Sequence, residues 1–260
     1  MTEERRYNST LAGKGAYLQE TKTVLEQIAA GRSMDEVRNA VMEEDLLDQR
    51  TLRSRRTYWS EVFRRYISGR DPAHVSALAQ MVARCANTTA VDLMLFYEYC
   101  QVDPLLYDLT VQCTYELYQN ARTAIDKVDV AEWLDEQADN HPEIADWSPS
   151  TRGRLVRGYL STIRDFGLVK GVQTKEFYNF YVPREAFVYA LYHQKDRGLH
   201  NTQLIEARDW RLFLMTEREV IFMLEDAARG GFVHFRRAGD IFDLRFVYEN
   251  LSEVVDAITD

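Results

Sequence analysis

Apolar positions recur every three or four residues through the first part of this chain, which is the signature of helices with one buried face. The pattern predicts helices near 15–30, 34–44, 50–68, 72–86, 88–101, 104–121, 130–139 and 142–147, so the first 147 residues read as all helix. Helix-start signals agree. Pro72 follows Asp71, Pro104 follows Asp103 and Pro149 follows Ser148. In each pair the side-chain oxygen can take an orphan amide, and proline at the first helical position gives up no hydrogen bond. Pro142 and Pro183 stand where helices open too. Gly31 closes the first helix, and Ser33 with Glu36 forms a capping box for the second. A helix, a short helix and then a basic helix from Gln49 to Arg70 follow a helix-turn-helix layout, although three consecutive helices are common in any bundle. From 72 to 121 the apolar and aromatic density marks a core, with a protein interface as the alternative use of the same residues.

Past about Asn140 the period changes. Leu155, Val156, Tyr159, Leu160, Ile163 and Phe166 gather on one face of a helix that Gly167 closes. LVKGV and FYNFYV then read as two strands turning around Thr174 and Lys175, followed by a helix from Arg184 to about Lys195. A similar unit returns near the C-terminus. Thr216 and Glu219 form a capping box, and the helix they open ends at Gly230 and Gly231. FVHFRR and IFDLRFVY then alternate across an Ala238-Gly239-Asp240 turn, and Asn250 starts a closing helix. The predicted fold is mainly α: an all-helical bundle over 1–140, then an α+β region over 141–260 with two winged-helix-like units.

Charge sharpens this picture. The net charge is −9, which taken whole disfavours nucleic acid, but its distribution is uneven. Residues 49–70 hold seven arginines against one acid, and residues 148–184 hold seven cations against two acids. Residues 71–147 between them hold three cations against fourteen acids. In the first island Leu52, Trp59, Val62, Phe63, Tyr66 and Ile67 lie on one side of a helix, with Arg50, Arg53, Arg64 and Arg65 opposite and Arg55 and Arg56 flanking. In the second, Arg154, Arg157 and Arg164 lie opposite the apolar stripe, and Lys170 and Lys175 follow it. Guanidinium forks suit phosphate oxygens. The plain alternative is a solvated face whose arginines pair with the chain's own carboxylates, such as those of Glu43, Glu44 and Asp45.

No catalytic grouping stands out. Cys85, Cys100 and Cys113 lack metal spacing and read as buried thiols. The five histidines are scattered, and GKG at Gly13 to Gly15 lacks the rest of a phosphate-binding loop. An enzyme, a metal site and a cofactor are therefore not expected. No run of eighteen apolar residues is present and the first residues lack a signal-peptide core, so the expected location is the cytoplasm, with no membrane partner.

Three stretches carry a family resemblance: the opening YNSTL with glycines soon after, SMDEVRNAVMEEDLL leading into the arginine-rich helix with its RRY ending, and ADWSPSTRGRL leading to FGLV. In this order, from about Tyr7 to Val182, the chain resembles the BrxA family of BREX phage-defence systems. The resemblance implies a small non-enzymatic cytoplasmic component encoded beside a methyltransferase and ATP-dependent partners. It also implies a helical part like the NusB RNA-binding fold and an ability to bind double-stranded DNA. It does not say which residues touch DNA.

Charge and spacing supply those residues: Arg50, Arg53, Arg56, Arg64 and Arg65 from the first island, and Arg154, Arg157, Arg164, Lys170 and Lys175 from the second. They are expected to grip the backbone with weak sequence preference and strong salt dependence. The expected partners are duplex DNA and other BREX components. Two alternatives stand beside this reading. One is a protein-interaction scaffold whose islands meet acidic surfaces of partners or of a second copy, as a homo-oligomer. The other is RNA binding by the NusB-like part.

Overall fold

The computed structural model describes residues 6–179, 181–239 and 241–259. Helices dominate, joined by two small antiparallel sheets. In chain order they are α1 (Leu18–Ala29), α2 (Met34–Met42), α3 (Leu52–Tyr66), α4 (Pro72–Arg84), α5 (Thr88–Val102) and α6 (Pro104–Asp108). Next come a π-helical segment Leu109–Thr114, α7 (Tyr115–Gln119), β1 (Ala124–Ile125), α8 (Lys127–Gln137), α9 (Pro142–Ala145), α10 (Pro149–Asp165) and β2 (Lys175–Glu176). The chain ends with α11 (Arg184–Asp196), α12 (Thr202–Ile205), a 3-10 segment Arg208–Phe213, α13 (Glu217–Arg229), β3 (Val233–Ala238), β4 (Ile241–Phe246) and α14 (Leu251–Thr259). No described helix is long and apolar enough to cross a membrane.

The caps work as the sequence predicts. Asp71, Asp103 and Ser148 accept hydrogen bonds from the amides of Ala73, Leu106 and Thr151, and Ser33 and Glu36 close both arms of their box. Three differences have physical causes. The helix expected over 104–121 passes through a π turn, which points Thr110 and Thr114 at the buried Tyr159 hydroxyl. Residues 1–147 are not all helix, because β1 forms at Ala124–Ile125. Its partner is β2, with Ala124 opposite Glu176 and Ile125 opposite Lys175. For the same reason LVKGV and FYNFYV do not form a two-stranded ladder among the described residues. Gly171, at φ +89° against the Thr174 carbonyl, turns the chain so tightly that only Lys170 and Glu176 bridge, and Glu176 then pairs with β1. Phe180, in the second of these segments, and Asp240, in the C-terminal turn, lie outside the described residues.

The chain divides into two compact units, neither of them continuous in sequence. The first takes the chain up to Ala16, Phe96–Tyr181 and Arg208–Thr216; the second takes Tyr17–Leu95, Val182–Ala207 and Glu217 onward.

In the first unit the YNSTL segment is held as part of the core. Leu11 is fully buried, Tyr7 donates its hydroxyl to Asp108 at 2.9 Å and stacks on His141 at 3.8 Å, and the Thr10 hydroxyl reaches Asp103 at 3.0 Å. Gly158 makes this possible: a methyl group there would sit 1.9 Å from the Leu11 carbonyl oxygen, so only glycine lets α10 approach. Asp209 fastens the 3-10 segment by accepting from the hydroxyls of Tyr97 and Tyr107 at 3.1 and 2.8 Å and from the Gln101 amide at 3.3 Å.

In the second unit α4 packs between α1 and α14, burying Val24, Leu25, Leu78, Met81, Val254 and Val255. Each such side chain contributes roughly 1.5–3 kcal/mol on leaving water. The C-terminal hairpin appears as expected, with Val233 opposite Phe246 and Ala238 opposite Ile241. Its base is tied to α11 through Tyr192, whose hydroxyl donates to the Phe232 carbonyl at 2.6 Å and accepts from the Tyr248 amide at 3.1 Å.

Candidate nucleic-acid interface

The first basic island lies in the second unit, on α3 and the loop before it. Thr51 caps the helix, and Trp59, Val62 and Tyr66 bury its apolar stripe. Leu52 does not join them. At 45% exposure it sits at the first helical position, about two turns short of the buried part of the stripe.

The arginines separate into two groups. Arg50, Arg53 and Arg56 are exposed and make no ion pair among the described residues. The rest are engaged internally. Arg55 ties down the preceding loop through the carbonyls of Met42 and Gln49 at 2.8 and 2.9 Å and the Asp45 carboxylate at 3.1 Å. Arg64 is half-buried and pairs with Glu61 at 3.0 Å. Arg65 is a correction to the expected surface: it is fully buried. Glu61, one turn earlier and itself buried, lies 3.3 Å away, and the Tyr17 ring lies under the guanidinium at 5.1 Å, so the charge is compensated inside the unit.

The second island lies in the first unit. All six predicted stripe residues, Leu155 to Phe166, are buried on α10 and its cap. Arg154 and Arg157 are exposed and make no ion pair among the described residues. Arg152 pairs with Asp135, and Arg164 donates through Nε to Asp165 at 2.8 Å and through Nη2 to the Ser161 hydroxyl at 3.1 Å. Lys170 is exposed, with its ammonium 3.9 Å above the Tyr178 ring. Lys175 is the second correction. Only 6% exposed, it turns inward and donates to the Val172 carbonyl. Burial, then the neighbouring Arg164 charge, pushes its amine below the usual lysine range. Arg157, Arg164 and Lys175 line one groove of about 640 Å³, and they are joined there by Lys127. Lys127 escaped sequence reasoning because β1 brings it there from fifty residues away. The local signal was a cation directly after the Asp126 cap, at the positive end of a helix dipole.

That signal recurs. Arg53 in α3 and Arg152 in α10 stand near helix starts whose first turn holds no acid, whereas in α8 Asp129 accompanies Lys127. Cations near a helix N-terminus oppose the dipole by about 0.3–1 kcal/mol, a cost that an anionic partner would reverse.

Against known proteins, the BrxA family matches residues 5–193, nearly three quarters of the chain. The chain belongs to the BrxA family. Membership supports a BREX-associated defence role, and the three stretches that carry the sequence resemblance all lie within the matched region. No curated protein matches. Among solved structures, the fold is shared with the crystal structure of an uncharacterized protein from Magnetospirillum magneticum, at 19% identity and a TM-score of 0.61 over 80% of this chain and 98% of that one.

Proposed function

We propose that this BrxA-family protein is a non-enzymatic accessory component of a BREX system that binds duplex DNA through its backbone. The observation that carries this reading is the split within each basic island. Carboxylates of the chain take up Arg55, Arg64, Arg65, Arg152 and Arg164, yet Arg50, Arg53 and Arg56 on one unit and Arg154 and Arg157 on the other remain exposed without an ion pair among the described residues. Lys170 joins the second set. These six are the phosphate contacts of this reading. Arg64 and Arg164 lie at its margin, and the buried Arg65 and Lys175 drop out of direct backbone contact.

Arginines without interleaved Asn or Gln position a duplex more than they read it, so sequence preference is weak. The α1–α2–α3 arrangement supplies a helix-turn-helix-like support for the first island. In the same reading α13 with the β3–β4 hairpin is a winged-helix-like unit that serves packing or protein contact rather than DNA, because Glu217, Glu225 and Asp226 make its helix a poor partner for phosphates. Titration of duplex DNA against the full chain at two salt concentrations tests the reading. Affinity is expected to fall steeply as salt rises, because phosphate contacts release counterions. Salt-insensitive binding, or none at low salt, would sink it. Competition with single-stranded RNA ranks duplex DNA against the RNA alternative. Loss of assembly with partner proteins, but not of DNA binding, in an Arg53→Glu variant would favour the scaffold.

A further inference from the structure

The groove at the start of α8 has features that a duplex-binding surface does not need. Three residues of α10 at helical spacing, Arg157, Ser161 and Arg164, form one wall. The β1–β2 pairing forms the other, placing Lys175 opposite Ile125 and bringing Lys127 alongside. Four cations therefore converge on one concavity. The groove's own carboxylate, Asp126, is occupied in capping the amides of Val128 and Asp129. Asp165 pairs with Arg164 and partly offsets Lys175, leaving Lys127 and Arg157 without a carboxylate partner among the described residues.

Burying Lys175 beside two further cations is unfavourable: Arg164 and Lys127 both oppose its charged form. Nothing in the packing of the unit requires four like charges there, and an anion would relieve all of them at once. The lips of the groove are apolar. Val172 is 78% exposed and Val128 59% exposed, two of the most exposed large apolar side chains among the described residues. A volume of about 640 Å³ lies within the range of small-ligand sites, roughly 300–1,000 Å³.

We propose that this groove binds a nucleotide-sized ligand, its phosphoryl group held by Lys127 and Arg157, with the buried Lys175 adding charge from the groove lining, and its base or sugar resting between Val128 and Val172. The Ser161 hydroxyl adds a neutral donor to the phosphoryl site. The inference stands apart from the duplex reading. It shares only Arg157 with the proposed backbone contacts, and a small ligand needs no second basic island.

The chemistry of a phosphoryl group is the same on a free nucleotide and on a nucleic-acid backbone, so the test separates the two. ADP, without metal, is titrated into the full chain at low salt by calorimetry, with adenosine as the uncharged control. Binding of ADP but not adenosine is expected. It should weaken about tenfold or more in Lys127→Gln and in Arg157→Gln, each a loss of one charge-assisted contact, and stay unchanged in Arg53→Gln. Both pocket substitutions are at surface positions, and an unchanged circular dichroism spectrum confirms folding. No ADP binding by the parent chain overturns the proposal, as does ADP binding that ignores both substitutions. Duplex affinity that falls in Lys127→Gln, with no ADP binding at all, overturns the small-ligand site and assigns the groove to a backbone phosphate. Failure of the duplex reading, by contrast, would show as no DNA binding in a chain that still binds ADP.

Discussion

The two basic helices, α3 and α10, have the same sequence signature: a hydroxyl cap, no acid in the first turn, a firm apolar stripe and arginines around the rest. They use their cations differently. In α3 one of the two last-turn arginines, Arg65, points into the unit and is buried against Glu61, while Arg64 stays half-exposed beside the same carboxylate. In α10 the last-turn Arg164 stays half-exposed, paired with Asp165 along the surface. The unpaired charge thus sits at the N-terminal end of α3 and in its preceding loop, and in the middle of α10. Charge counted along a sequence is an upper bound on charge available to a partner, and the difference between count and availability is set by where the nearest carboxylate is buried.

The sharpest break of this comparison is at Glu61. Removing it takes a carboxylate from a fully buried guanidinium, so Glu61→Ala should cost about 3–5 kcal/mol in urea unfolding, whereas Asp165→Ala beside the half-exposed Arg164 should cost about 0–1 kcal/mol. Equal costs would erase the distinction between the two helices. Next is the seat of α10. Gly158→Ala drives a methyl group into the Leu11 carbonyl and should cost about 1–3 kcal/mol by overpacking. Gly153→Ala on the same helix meets only the Arg157 guanidinium, at 3.6 Å, and should be stabilising by about 0.5–1 kcal/mol. A Gly158→Ala variant as stable as the parent chain would show that the close approach is not needed.

Duplex affinity sharpens the comparison further. Arg53→Glu with Arg56→Glu, and separately Arg154→Glu with Arg157→Glu, should each weaken binding about tenfold or more, roughly 1.4 kcal/mol, and flatten its salt dependence. If only one pair matters, the other island is solvated surface. The smallest effect concerns pH. The Arg184 guanidinium hydrogen-bonds Asp226, holding its carboxyl below the usual range. A depressed pKa stabilises fully above the unfolded value of about 3.9, and the benefit is lost as pH falls through the lower native value. For a pair this exposed it is about 0–1 kcal/mol. Arg184→Gln should therefore lower stability at neutral pH, with the loss shrinking as the solution is acidified below the unfolded carboxyl value of about 3.9; a constant loss at all pH values would count against the pair.

Much of this architecture was legible from local chemistry. A cap residue followed by proline marks a helix start wherever it lies in the fold, and Asp71, Asp103 and Ser148 all act as written. The C-terminal hairpin was legible too, because Gly239, at φ +62°, joins two alternating strands that are neighbours in sequence. The β1–β2 pairing was not. Its partners are about fifty residues apart and two residues long, too short for any period to register. The same limit applied to the site. Exposure of Arg53, Arg56, Arg154 and Arg157 followed from the apolar stripes, whereas the burial of Arg65 and Lys175 depended on Glu61, Tyr17 and Val172 meeting them in space. Helical periodicity orients a side chain but does not report what waits for it.

The interleaving of the two units also governs the order in which the protein can form. The first unit lacks its Asp209 clasp until residues beyond 208 have been synthesised, and the second lacks α14 until the chain is nearly finished. A nascent chain of 200 residues therefore holds two incomplete cores with apolar faces exposed, a stage at which folding competes with aggregation. Shortened versions that stop anywhere before α14 are expected to leave at least one unit unfinished, so the unit that carries the exposed arginines of α3 depends on the final helix that packs against α4.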